Sequence, residues 1–240
     1  MIRPMVLAGL LLAGSIAFGQ EVIASWDFST GKIDSTDGKF KMKFRGNTKI
    51  AGTEGKQFLE VGINDKDKPE GIISVQKYPE LTPKGAFRLE IKARLRKPTV
   101  KKKFIILWDN NYVLDASWGP HKTNPNSKKG LSVFLFKCKD GKFRPQASFG
   151  FAESLDPVYG TPAELAVEQD FTLAVEYDGI KKVSFFLNGK LNRETAVKTG
   201  GPLAEAFYQL VIGDRYGSGH SRFDGQILEV KLTKLPSPAK

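Results

Sequence analysis

The chain of 240 residues holds one cysteine, Cys138. No intrachain disulfide can form, even in an oxidising compartment, so the core must be sustained by burial alone. A chain of this length can bury enough surface for that. Histidine is almost as scarce, with two in the whole sequence, His121 and His220. No Pro/Ser/Gly linker occurs before Pro236-Ser237-Pro238, and no internal repeat is found. Helical periodicity is missing too, apart from a suggestion of it between Pro162 and Gln169. The one long apolar run, Met5 to Phe18, falls short of the ~20 residues that a transmembrane helix needs.

That run has the layout of a secretory signal peptide over residues 1–19. Arg3 forms the positive region, Met5 to Phe18 the apolar region, and Ala17-Phe18-Gly19 the cleavage site before Gln20. No cysteine follows it, which excludes lipid attachment there. The expected product is a secreted or periplasmic protein with one domain over 20–235 and a short tail over 236–240. Lysine and arginine number 37 against 26 acids, an excess of 11. Cleavage removes Arg3 alone and leaves an excess of 10, which favours anionic partners such as acidic glycans or cell-surface polymers.

The stretch Phe171 to Lys190, FTLAVEYDGIKKVSFFLNGK, carries the clearest structural signal. Two apolar-alternating runs are separated by Asp178-Gly179, and Asn188-Gly189 follows. Both dipeptides tolerate the positive φ of hairpin turns, and Asp140-Gly141 adds a third. Further runs predict strands near 22–28, 39–45, 57–62, 72–76, 86–96, 103–108, 131–138, 145–151, 207–213 and 225–234. Many short strands with Gly/Asp/Asn turns predict an all-β, two-sheet antiparallel sandwich. Its expected core includes Phe171, Leu173, Val175, Val183, Phe185, Leu187, Leu228, Val230 and Leu232. Consecutive apolar residues at Phe104–Trp108 and Val133–Phe136 imply strands covered on both faces, or a concave face rich in aromatic rings. Cys138 falls in alternation with Phe134 and Phe136, which predicts a buried, inert thiol.

A strand ending in Tyr177-Asp178-Gly179, one ending in Asn188-Gly189, then Leu210-Val211-Ile212-Gly213 and Phe223-Asp224-Gly225-Gln226-Ile227-Leu228-Glu229-Val230 form a recognisable series. It resembles the C-terminal half of a laminin-G-like domain of the concanavalin A-like lectin/glucanase superfamily. Trp26-Asp27-Phe28 resembles the opening strand of such domains, and Gly55 to Val61 the second. The resemblance spans about 22–234, with the final third distinctive. It implies a jelly roll and no single activity, because lectins, adhesion modules and glycan hydrolases share that fold.

Hydrolases of that superfamily place two or three carboxylates at alternating positions of one strand, and retaining hydrolysis needs two about 5 Å apart. No strand here offers the pattern: Glu90 lies between Arg88 and Lys92, and Glu176 and Glu229 are isolated. A lyase would need a tyrosine and a histidine beside a neutralised carboxylate, and Tyr112, His121, Arg215, Tyr216 and His220 match no such motif in order or spacing. Non-catalytic carbohydrate binding or adhesion is therefore the expected function, with a glycan-active hydrolase or lyase as the alternative.

Sugar binding needs aromatic faces and polar side chains, and two long connections supply both. Asp109 to Gly130 contains Tyr112, Trp118 and His121; Asp214 to Arg222 contains Arg215, Tyr216 and His220. Arg88, Lys92, Arg94 and Arg96 share one side of a strand and Lys101 follows, a strip suited to sulfate or carboxylate groups. Calcium-binding relatives suggest Asp109, Asn110 and Asn111 as oxygen ligands for Ca²⁺.

Overall fold

Strand β6 (Phe87–Leu95) shows how this sequence makes its fold. Apolar and charged residues alternate along its nine positions, and burial alternates with them from end to end. A period of two puts every second side chain on one face of a sheet. The computed structural model describes residues 20–62, 68–96, 104–111, 125–216 and 221–236. Among these, 15 strands pair antiparallel into two sheets that pack face to face.

The eight-stranded sheet runs β13 (Lys190–Ala196), β12 (Lys182–Leu187), β11 (Asp170–Tyr177), β6, β15 (Gly225–Lys234), β4 (Phe58–Val61) and β3 (Lys49–Ala51). Its eighth strand, β1 (Val22–Asp27), pairs with the later part of β15. The seven-stranded sheet runs β10 (Leu155–Tyr159), β9 (Phe143–Phe151), β8 (Lys129–Lys137), β7 (Phe104–Asp109), β14 (Val211–Ile212), β5 (Ile72–Ser74) and β2 (Met42–Phe44). Inward residues of both sheets make one core, in which Leu89 and Ile91 face the layer of Leu131, Val133, Leu135 and Phe149. Trp26 and Trp108 meet edge to face across the layers at 6.0 Å.

The three glycine turns close by different means. At Asn188-Gly189 both residues take positive φ, 52° and 75°, as a type I′ turn demands. At Asp178-Gly179 only the glycine does so. There the Asp178 carboxylate accepts the backbone N–H of Ile180, Lys181 and Lys182 at 2.8–2.9 Å and holds a wider loop. Asp140-Gly141 follows the second pattern, with Asp140 accepting from the Lys142 N–H.

Several expectations need correction. Strands β3, β10 and β13 lie in segments read as connections, and all three are sheet edges. The strand expected over 207–213 shrinks to Val211–Ile212, and Pro162–Gln169 forms no helix. Leu187 is half-buried rather than fully buried. Cys138 is half-buried too, just past the end of β8. Leu228 leaves the core because the register of β15 shifts between Ile227 and Glu229. Ile227, Val230 and Leu232 point inward instead. The other seven expected core residues (Phe171, Leu173, Val175, Val183, Phe185, Val230 and Leu232) are buried.

Candidate functional site

The sandwich offers two outer faces, and their chemistry differs. On the eight-stranded sheet the outward residues of β6 meet acids from neighbouring strands. Arg88 donates to Glu176 at 2.7 Å and also pairs with Glu90. Burial works against the charge of Arg88, yet the hydrogen bonds from Glu90 and Glu176 outweigh it and hold its pKa above the ordinary value. Arg94 pairs with Asp170 at 2.7 Å, Lys92 approaches the same carboxylate at 3.9 Å, and Arg96 pairs with Glu60 at 2.6 Å. The strip that is cationic along the sequence is thus interleaved with acids across the sheet. Lys101 lies outside the described residues.

The seven-stranded sheet is built the other way. On β8 and β9 the side chains opposite to the core are Gly130, Ser132, Phe134 and Phe136, then Arg144, Gln146, Ser148 and Gly150. Period-two alternation with Leu131, Val133, Leu135, Ala147 and Phe149 puts them there. Ser132, Gln146, Ser148 and Phe134 are themselves 8 % exposed or less, so this part of the sheet is covered on both faces. Phe104 from β7 packs on Phe134 and Phe136, with ring centroids 5.8 and 5.3 Å apart.

Arg144 closes this row. Its guanidinium sits 5.0 Å from the Phe136 ring and 4.9 Å from that of Tyr159 on the neighbouring β10. With the Gln146 amide oriented as its neighbours dictate, the oxygen accepts from Nη2 and Nε of Arg144 at 2.8 and 3.0 Å. Two cation–π contacts and a two-point hydrogen bond therefore fix the planar cation. Among the described residues no carboxylate pairs with it. Tyr159 stays 40 % exposed beside it, so the row opens to solvent at this end.

At the far margin of the same sheet the two long connections begin together. The Tyr216 N–H donates to Asp109 Oδ2 at 2.9 Å, which ties the segment after β14 to the end of β7. The Tyr216 ring packs on Tyr208 at 4.7 Å, and Tyr208 on the exposed Phe207 at 5.1 Å. Arg215 is buried, and its carbonyl accepts from Arg45 Nη1 at 3.0 Å. Burial pushes the Arg45 guanidinium below its ordinary value, while Asp214 and Asp109 pull it back up. Tyr112, Trp118, His121 and His220 fall outside the described residues.

Asp109, Asn110 and Asn111 are all buried and turned toward the fold. Asp109 accepts the N–H of Asn111 and of Tyr216. Asn110 Oδ1 accepts from the Leu131 N–H at 2.7 Å, and its Nδ2 donates to the Leu81 carbonyl at 3.0 Å. The side-chain oxygens of Asp109 and Asn110 are therefore engaged by N–H donors. Among the described residues, no three His, Cys, Asp or Glu side chains gather as a metal site.

No family model matches the sequence, and no curated protein matches it. Solved structures do. Domain 4 of AbnA, a GH43 extracellular arabinanase from Geobacillus stearothermophilus solved with arabinotriose, superposes with TM-score 0.59 at 12 % identity, covering 90 % of this chain and 93 % of that one. The binding domain of botulinum neurotoxin DC, solved with rat synaptotagmin II, gives 0.62 at 12 % identity, covering 90 % of this chain and 49 % of that one. The same toxin domain with SialylT gives 0.58 at 12 %, with 90 % and 48 % covered. The likeness is one of fold. This chain spans about half the length of the toxin domains and nearly all of the arabinanase domain. Among the described residues no helix is long and apolar enough to cross a membrane.

Proposed function

We propose that the chain is an exported, laminin-G-like, non-catalytic carbohydrate-binding or adhesion module whose binding site is the solvent-open Arg144–Tyr159 end of the outer row on the seven-stranded sheet. The observation that carries this reading is Arg144, fixed between Phe136 and Tyr159 with no carboxylate among the described residues paired to it. The exposed Tyr159 ring suits the C–H face of a sugar, and the pre-set Arg144 guanidinium beside it suits a carboxylate or sulfate substituent. An anionic glycan meets both requirements. Tyr216 belongs to the margin of the same sheet and extends the surface toward Tyr208 and Phe207, with Arg215 buried beneath it. The outward positions of β8 and β9 hold no acid, whereas glycosidases need a carboxyl pair. That supports binding over hydrolysis. Sandwich domains of this shape solved with arabinotriose and with SialylT point the same way.

The test compares two arginine changes on an array of sulfated and uronate oligosaccharides. Arg144→Ala should weaken capture about tenfold or more, as expected for a charged hydrogen-bonding contact. Arg94→Ala with Arg96→Ala, on the ion-paired sheet, should leave capture nearly unchanged. Binding should weaken as salt rises from about 50 to 500 mM, since the screening length of exposed charges falls from about 14 to about 4 Å over that range. Capture that survives Arg144→Ala and falls with the Arg94/Arg96 pair would move the binding face to the other sheet.

A further inference from the structure

Strand β15 has two neighbours in succession along one edge. Gly225, Gln226 and Ile227 pair with β4, and from Glu229 onward the partner is β1. Leu228 falls at the handover, where the pairing with β6 on the opposite edge also slips. Bulges of this kind kink a strand and re-aim side chains, and they recur beside functional sites. Here the break opens a cleft of about 500 Å³ on the outer face of the eight-stranded sheet. That volume lies within the ~300–1,000 Å³ of small-ligand sites.

Its lining is chemically mixed, and its charges balance once Asp170 beside it is counted. Leu228 and Phe58 give apolar surface, Gln57 and Gln226 give amides, and Lys56, Lys92 and Arg94 stand among Asp27 and Glu229. Lys92 and Arg94 share Asp170, so three cations are matched by three acids. The amide groups of Gln57 and Gln226, the ammonium of Lys56 and the carboxylate of Glu229 make no hydrogen bond or ion pair with the described residues. A cleft with unspent donors and acceptors of both kinds, apolar side chains in its lining and charges balanced by the neighbouring Asp170 fits an uncharged, hydroxyl-rich ligand.

We infer that this cleft is a second carbohydrate site, selective for a neutral oligosaccharide, on the sheet opposite to the Arg144 face. Gln57 and Gln226 hydrogen-bond the hydroxyls, and Phe58 and Leu228 take an apolar sugar face. A polyanion is disfavoured because Asp27, Glu229 and Asp170 hold the local potential near zero. The inference does not rest on the Arg144 site, since the two faces share no residue.

The test screens the full chain against immobilised neutral oligosaccharides (arabino-, xylo-, gluco- and chito-oligomers), then titrates the best ligand by calorimetry. The expected result is capture of a neutral oligosaccharide that hardly changes between about 50 and 500 mM salt. Gln57→Ala with Gln226→Ala should weaken it about tenfold or more, since both hydrogen-bonding side chains are lost. Gln226→Glu, which preserves the shape and adds one charge, should weaken it as well. Equal melting temperatures for all variants would separate lost contacts from lost folding. Arg144→Ala should leave neutral capture intact. No capture of any neutral oligosaccharide, or capture that survives both glutamine variants, overturns the inference. Neutral capture lost with Arg144→Ala also overturns it, while leaving the Arg144 face standing.

Discussion

Leu228 has no partner in β6, where pairing passes from Ile227 with Ala93 directly to Glu229 with Lys92. Strict alternation back from Val230 and Leu232 would put Leu228 inside, and the sequence carries nothing local to mark the slip. Ile227 takes the inward place, and its complete burial shows the exchange. Urea unfolding should register the difference. Leu173→Ala, at a 1 % exposed core position, should cost about 2–5 kcal/mol. Leu228→Ala, at the bulge, should cost less than about 1.5 kcal/mol, because little cavity is left behind. Arg144 poses a similar limit at the level of the site. Its position on the outward face of β9 follows from alternation, but the lack of a carboxylate partner among the described residues is a fact about β8 and β10. The β6 arginines differ for the same reason, since Glu176, Asp170 and Glu60 come from strands remote in sequence.

Central strands were legible as elements because their inward residues are apolar and regularly spaced. The three strands that sequence reading passed over all lie at edges, where one side of the ladder faces solvent. Strand β13, KLNRETA, is mostly exposed and shows no apolar alternation. In β10 Pro157 argues against a ladder position, and an edge is where proline is tolerated. The turns were legible in place but not in mechanism. Asp178→Ala removes the acceptor of three backbone N–H groups and should cost about 1–2 kcal/mol, as the loss of a cap does. Gly189→Ala should cost about 1 kcal/mol through φ alone, because a Cβ there meets nothing within 4 Å. Thermal melts of the two variants should show the Asp178 change to be at least as damaging.

Taken whole, the molecule brings the two ends of its sandwich to one place. Val22 pairs with Thr233, the Lys234 N–H donates to the Glu21 carbonyl at 2.8 Å, and the Lys234 ammonium meets the Glu21 carboxylate at 2.9 Å. The first and last strands therefore part like the two sides of a zip. Tension applied between residues 21 and 234 falls on one rung of the β1–β15 ladder at a time, never on all rungs in shear. Rupture should begin there and peel inward at low force, and an optical-trap measurement giving the high peak of a sheared strand pair would contradict this geometry. A molecule stretched between two anchors would yield at this seam first.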